Sequence, residues 1–109
     1  MDAGRIVNPD GARNQIEDGI QQAASWTLLE ELRQEGGAIR TSSSRDYPIA
    51  RLKDAPRAIE VLFCGDAKVP STGIGEPGSV PTAAAIANAV FDASGCRLRR
   101  LPLALPKVA

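Results

Sequence analysis

Large apolar side chains are scarce in this sequence, and that scarcity limits what the chain can fold into. Of 109 residues, seventeen are alanine and only four are aromatic: Trp26, Tyr47, Phe63 and Phe91. Apolar burial stabilises by about 25 cal/mol per Å², so a core thin in large side chains gives modest stability to a domain of this size. Alanine-rich helices do pack closely. The composition therefore suits a small module pressed against a larger body, and the length allows one domain, residues 1–109.

Periodicity places the elements. Residues 4–9 read as a short edge strand closed by Pro9, and Asp10 stands where a helix cap is wanted. From Ile16 the positions Ile20, Ala23, Ala24, Thr27, Leu28 and Leu32 keep a helical period until Gly36-Gly37. That predicts a helix about 35 Å long at ~1.5 Å per residue. Residues 38–42 predict a second strand and 43–57 a long polar loop. The β-branched and aromatic run at 58–64 predicts a third strand. After a loop dense in Gly, Pro, Ser and Thr at 65–80, Pro81 fits the first turn of a second helix. Its apolar residues Ala83, Ile86, Ala87, Val90 and Phe91 share one face, and Gly95 supplies a left-handed stop. Residues 97–101 predict a last strand. The order β-α-β-β-α-β predicts an α+β two-layer sandwich of ferredoxin-like type, with two helices on one face of a four-stranded antiparallel sheet. The other sheet face is left open to water or a partner.

Several chemistries are excluded by what is missing. Without histidine, no Ser-His-Asp or Cys-His nucleophile and no His-ligated metal site can be assembled. Cys64 and Cys96 are too few for a zinc or iron–sulfur site held by this chain, and they lack CxxC spacing. They read as buried, reduced thiols of a cytosolic protein. Thirteen basic residues balance thirteen acidic ones, leaving no net field for nucleic acid. Arg97, Arg99, Arg100 and Lys107 do cluster, but among Leu98, Leu101, Leu103 and Leu105, which reads as a strand running into an apolar tail that docks on something. No signal peptide is visible. The longest uncharged stretch, residues 77–91, is shorter than the ~20 residues a bilayer span needs. A soluble, cytoplasmic protein without nucleic-acid or membrane partners is expected.

One loop can carry chemistry. Gly73-Ile74-Gly75-Glu76-Pro77-Gly78 formally matches GxGxxG. As a dinucleotide fingerprint it fails: the preceding strand ends too early, and a carboxylate and a proline stand where phosphate needs free backbone amides. What remains is a glycine-rich loop holding one acid, Glu76, just before a helix. The glycines admit another body close to the backbone. Equally, the loop reads as an exposed turn whose acid sits in a favourable helix dipole.

Three blocks taken together narrow this further: residues 4–17 (GRIVNPDGARNQIE), residues 73–78 (GIGEPG), and residues 81–89 (PTAAAIANA) continuing to Arg97-Leu98-Arg99. In this order and at these separations they resemble the C-terminal part of the molybdopterin-binding subunit of the xanthine dehydrogenase and aldehyde oxidase family, including its bacterial isoquinoline-oxidoreductase-like members. The resemblance runs from Asp2 to about Leu103. It implies that Glu76 is the general base, taking a proton from a metal-bound hydroxyl whose oxygen attacks an aldehyde or N-heterocycle carbon while hydride passes to a sulfido ligand. It further implies that Gln15 lies against the pterin as hydrogen-bond donor and acceptor, and that the backbone of Gly73, Ile74 and Gly75 lines the same site. The metal takes no ligand from these residues. The family usually has glycine where this chain has Asp18.

The resemblance also implies a partner. The remainder of the subunit is not in this sequence, so the chain is expected to dock on a larger molybdopterin-binding chain through its open sheet face and leucine-bearing tail. By itself it would bind no molybdopterin and be inactive. The alternatives are a free-standing ferredoxin-like domain that binds a ligand or forms a homodimer through that face with no redox role, and a relic with no function.

Overall fold

The computed structural model describes residues 1–104, so Leu105 and Lys107 of the expected tail lie outside the described residues. The first helix, α1, spans Pro9–Leu28. Its cap is Asn8 rather than Asp10: the Asn8 side-chain oxygen accepts from Gly11 N at 3.0 Å. Asp10 instead lies inside the first turn, where its charge meets the positive end of the helix dipole. Proline at the first helical position loses no hydrogen bond there.

The helix stops eight residues before the glycine pair, although the apolar period continues to Leu32. Its last carbonyls are taken by non-helical partners. Ser25 O accepts from both Leu29 N and Glu30 N, and Thr27 O accepts from Leu103 N at 2.7 Å. The Ser25 hydroxyl also bonds the Glu30 carboxylate and accepts from Ala50 N at 2.9 Å. A turn, a loop and the C-terminal segment thus converge on the helix end, contacts that local periodicity cannot encode.

Gly36-Gly37 is a hairpin turn. It joins β1, Gln34–Glu35, to β2, Ala38–Ile39, in antiparallel register with Gln34 opposite Ile39 and Glu35 opposite Ala38. Gly36 (φ 59°) and Gly37 (φ 78°) both have positive φ, the requirement of a two-residue type I′ turn. The predicted strand at 38–42 is thereby reduced to two residues.

The described residues hold this one two-stranded sheet, not the four-stranded sheet of a ferredoxin-like order. The expected strands at 4–9, 58–64 and 97–101 are not strands. The first two do meet: Met1 bonds Leu62 O and Cys64 N, and then Arg5 N and Ala3 O turn to Val69 O and Thr72 N. Pairing switches partner because Gly4 (φ 64°) bends the chain over the Pro70 carbonyl, where a side chain would collide. Arg13 of α1 secures the 58–64 segment by donating to Val61 O at 3.0 Å. Residues after Gly95 fold back onto the second helix, with the Arg97 guanidinium 3.6 Å from the Phe91 ring centre and 2.9 Å from Asn88 Oδ1. The open sheet face assigned to docking or dimerisation is therefore absent among the described residues.

A single 3₁₀ turn, Leu52–Asp54, interrupts the polar loop. The second helix, α2, spans Thr82–Ser94 and ends at Gly95 in the left-handed conformation (φ 69°), as the sequence predicts. The loop that leads into α2 meets α1 through backbone. A side chain on Gly78 would collide with Ile16 O, and one on Gly19 would lie 3.2 Å from Ser79 N. The buried apolar set is small: Ala3, Ala12, Ile16, Ala23, Val61 and Leu103. Cys64 and Cys96 are exposed free thiols, not the buried pair expected.

Candidate functional site

The second turn of α1 carries Gln15 to the glycine-rich loop. Its Nε2 donates to Gly75 O at 2.7 Å, joining two segments sixty residues apart. The next residue is Glu76. Its backbone carbonyl accepts from Ser79 N (3.0 Å), Ser79 Oγ (3.0 Å) and Val80 N (3.3 Å), which makes a tight turn. Gly78 then rests on the Ile16 backbone, and the buried Thr82 hydroxyl donates to Gly78 O at 2.6 Å. Glu76 is thus fixed from the Gln15 side and from the α2 side. Its side chain is exposed, and among the described residues its carboxylate has no hydrogen bond or ion pair.

Open space surrounds the backbone before it. Nothing lies within 4 Å of where a side chain on Gly73 or Gly75 would begin, and Gly73 has φ 89°. Gly73 and Ile74 border a groove of about 310 Å³ shared with Ile6, Val7, Asn8 and Gly11 at the start of α1. The structure therefore brings Gln15, Gly75 and Glu76 together, with Gly73 and Ile74 alongside. Asp18 is exposed on α1, one turn beyond Gln15.

Sequence reasoning missed the supports. Gly19 and Gly78 let the loop lie against α1, Thr82 ties the loop to the start of α2, and their only signal is small residues, one of them interrupting the apolar stripe of α1. It also missed the polar knot at the far end of α1. There the Glu30 carboxylate pushes the Tyr47 pKa up, while the Ser42 and Ser43 hydroxyls hold Asp46 below the usual carboxylate range. Neither group belongs to the loop at 73–78. Among the described residues no three His, Cys, Asp or Glu side chains gather to hold a metal ion, and no helix is long and apolar enough to cross a membrane.

Comparison with known proteins gives concordant matches. A family model described as a molybdopterin cofactor-binding domain matches residues 1–56. The chain is 42% identical, over 98% of its length, to a nicotinate dehydrogenase subunit of Pseudomonas putida, and 40% identical over 93% to a probable xanthine dehydrogenase subunit of Bacillus subtilis. It is 32% identical over 94% of its length to the isoquinoline 1-oxidoreductase beta subunit of Brevundimonas diminuta. The chain spans 9%, 14% and 13% of these relatives respectively. The crystal structure of a Cu,Mo-CO dehydrogenase shares the fold, with TM-score 0.70 and 21% identity over 91% of this chain and 14% of that one.

Proposed function

Since the chain belongs to the family of molybdopterin cofactor-binding domains found in xanthine dehydrogenase-type enzymes, we propose that it is the module of a molybdenum hydroxylase that supplies Glu76 as general base. The site is completed by a larger molybdopterin-binding chain, and the substrate is an aldehyde or an N-heterocycle. The observation that carries this reading is the 2.7 Å hydrogen bond from Gln15 to Gly75. It sets the residue before the base against the helix that also faces the cofactor.

The groups present fit a cofactor that brings its own metal ligands. With one N–H given to Gly75 O, Gln15 retains a second N–H and an amide oxygen that can donate to and accept from a pterin edge. Gly73 and Gly75 leave room for a planar ring to lie against the backbone. When bound, the molybdenum cofactor supplies two-electron oxidation of the substrate carbon. The work of this chain is narrower. Gln15 orients, the backbone of Gly73, Ile74 and Gly75 lines the site, and Glu76 accepts the proton released as the new carbon–oxygen bond forms. A base must sit within hydrogen-bond reach of the proton it removes, and the bonds on both sides of Glu76 fix its backbone. One side of this site is open in the free chain, so alone it binds no molybdopterin and turns nothing over.

In the assembled enzyme, Glu76→Gln is expected to lower turnover by about 10²–10⁴-fold, the usual contribution of a general base, with molybdenum content unchanged. Wild-type turnover in that variant would refute the role of Glu76.

A further inference from the structure

The far end of α1 carries a second surface. Between Ala24–Leu29 and residues 49–56 runs a groove of about 570 Å³ whose apolar lining includes Trp26, Leu29, Ile49 and Leu52. These side chains are well exposed, Leu52 at 93% and Ile49 at 59%. The walls are tied together: Ser25, itself buried, bonds Glu30 and accepts from Ala50 N across the base. The groove is therefore pre-formed. At its base Ser25, Glu30 and the Ala50 amide bond one another, so no free polar groups converge there to orient a small ligand, and Gln21, Gln22 and Arg51 line only the exposed rim.

We propose that this groove is the surface on which the larger molybdopterin-binding chain docks, by inserting an apolar segment. The inference rests on the partnership proposed above and locates it at α1 and the 49–56 loop rather than on a sheet face. Surface area supports an extensive partner. The chain exposes 8426 Å², whereas a compact monomer of its mass exposes about 5,800 Å². The excess, about 2,600 Å², is about three times the ~800 Å² per partner of an ordinary interface. The size of the occupant follows from the comparisons. The same fold occupies 14% of a much longer chain in the structural neighbour, and this sequence matches 9–14% of its relatives. Most of each of those chains lies outside this segment, and that remainder, rather than a second copy of so short a chain, is the occupant proposed.

To test this, the chain is installed in place of the matching segment of the Pseudomonas putida nicotinate dehydrogenase subunit, and the purified enzyme is compared with the free chain. Leu52→Cys should react with a maleimide at least tenfold more slowly in the enzyme than in the free chain, read at that residue by mass spectrometry. Leu52→Asp should make the enzyme, but not the free chain, severalfold more sensitive to protease. Equal labelling in both settings, or an aspartate variant as resistant as the parent enzyme, would overturn the proposal. So would a free chain that dimerises and loses its dimer on Leu52→Asp, because the groove would then belong to a second copy. Glu76→Gln should leave both readouts unchanged. A failure of the docking surface is thereby separated from a failure of the general base, which shows only in turnover.

Discussion

Three glycines of the 73–78 loop look alike in the sequence and differ in what they do. Gly73 has positive φ, Gly78 abuts the Ile16 backbone, and Gly75 has neither constraint. Gly78→Ala should therefore destabilise the chain by about 1–3 kcal/mol, the usual cost of forcing a group into a packed contact. Gly75→Ala should stay within about 0.5 kcal/mol, as changes at open surface positions do. Urea midpoints compare the two directly, and equal effects would contradict the close approach at Gly78. At this scale the sequence shows an acid inside a glycine-rich loop before a helix, and only the family resemblance marks that acid out as a candidate base. Its supports are not legible, since what Gly19 and Gly78 contribute is an absent side chain, visible only once both backbones are placed.

Among the elements, α1 shows where periodicity misleads. Its apolar spacing runs on through Leu32, yet Leu103, more than seventy residues away, and the Ser25 turn close the helix at Leu28. The glycine pair, read as a helix stop, is equally good at turning a hairpin, and only the pairing partner decides. The start is set by Asn8, whose replacement by Ala should cost about 1 kcal/mol while Asp in its place is tolerated. Thermal melts of the two variants would separate cap loss from a generic surface effect. The 41–50 loop should respond to pH at both extremes. Asp46 is held low by Ser42 and Ser43, so its contribution is present above about pH 4 and lost as pH falls through the lowered value. Tyr47 is raised by Glu30, so its contribution is present below about pH 10 and lost as pH rises through the raised value. As Tyr47 is the only tyrosine, absorbance near the tyrosinate band reports it alone. Glu30→Gln should return its midpoint towards the ordinary value.

Taken as a whole molecule, the chain is long and open. Its radius of gyration is 17.1 Å, against about 13 Å for a compact domain of the same length. Small-angle scattering of the dilute free chain should give a value near the larger figure. Contraction to the smaller one would mean that the exposed groove closes on itself. The scarcity of large apolar residues foreshadows this shape, whereas the four-stranded sheet inferred from strand order does not form. Extended segments are recognisable as such, but Gly4 and Arg97 each divert one away from a neighbour before a ladder forms. The crossing at Gly19 and Gly78 has a mechanical meaning. A stiff helix braced from Ile16 to Gly19 holds Gln15 about 1.5 Å beyond the near edge of its support and carries Leu28 about 14 Å beyond the far edge at ~1.5 Å per residue. A displacement of about 2 Å at the long end then reaches the glutamine as only about 0.2 Å on the same geometry.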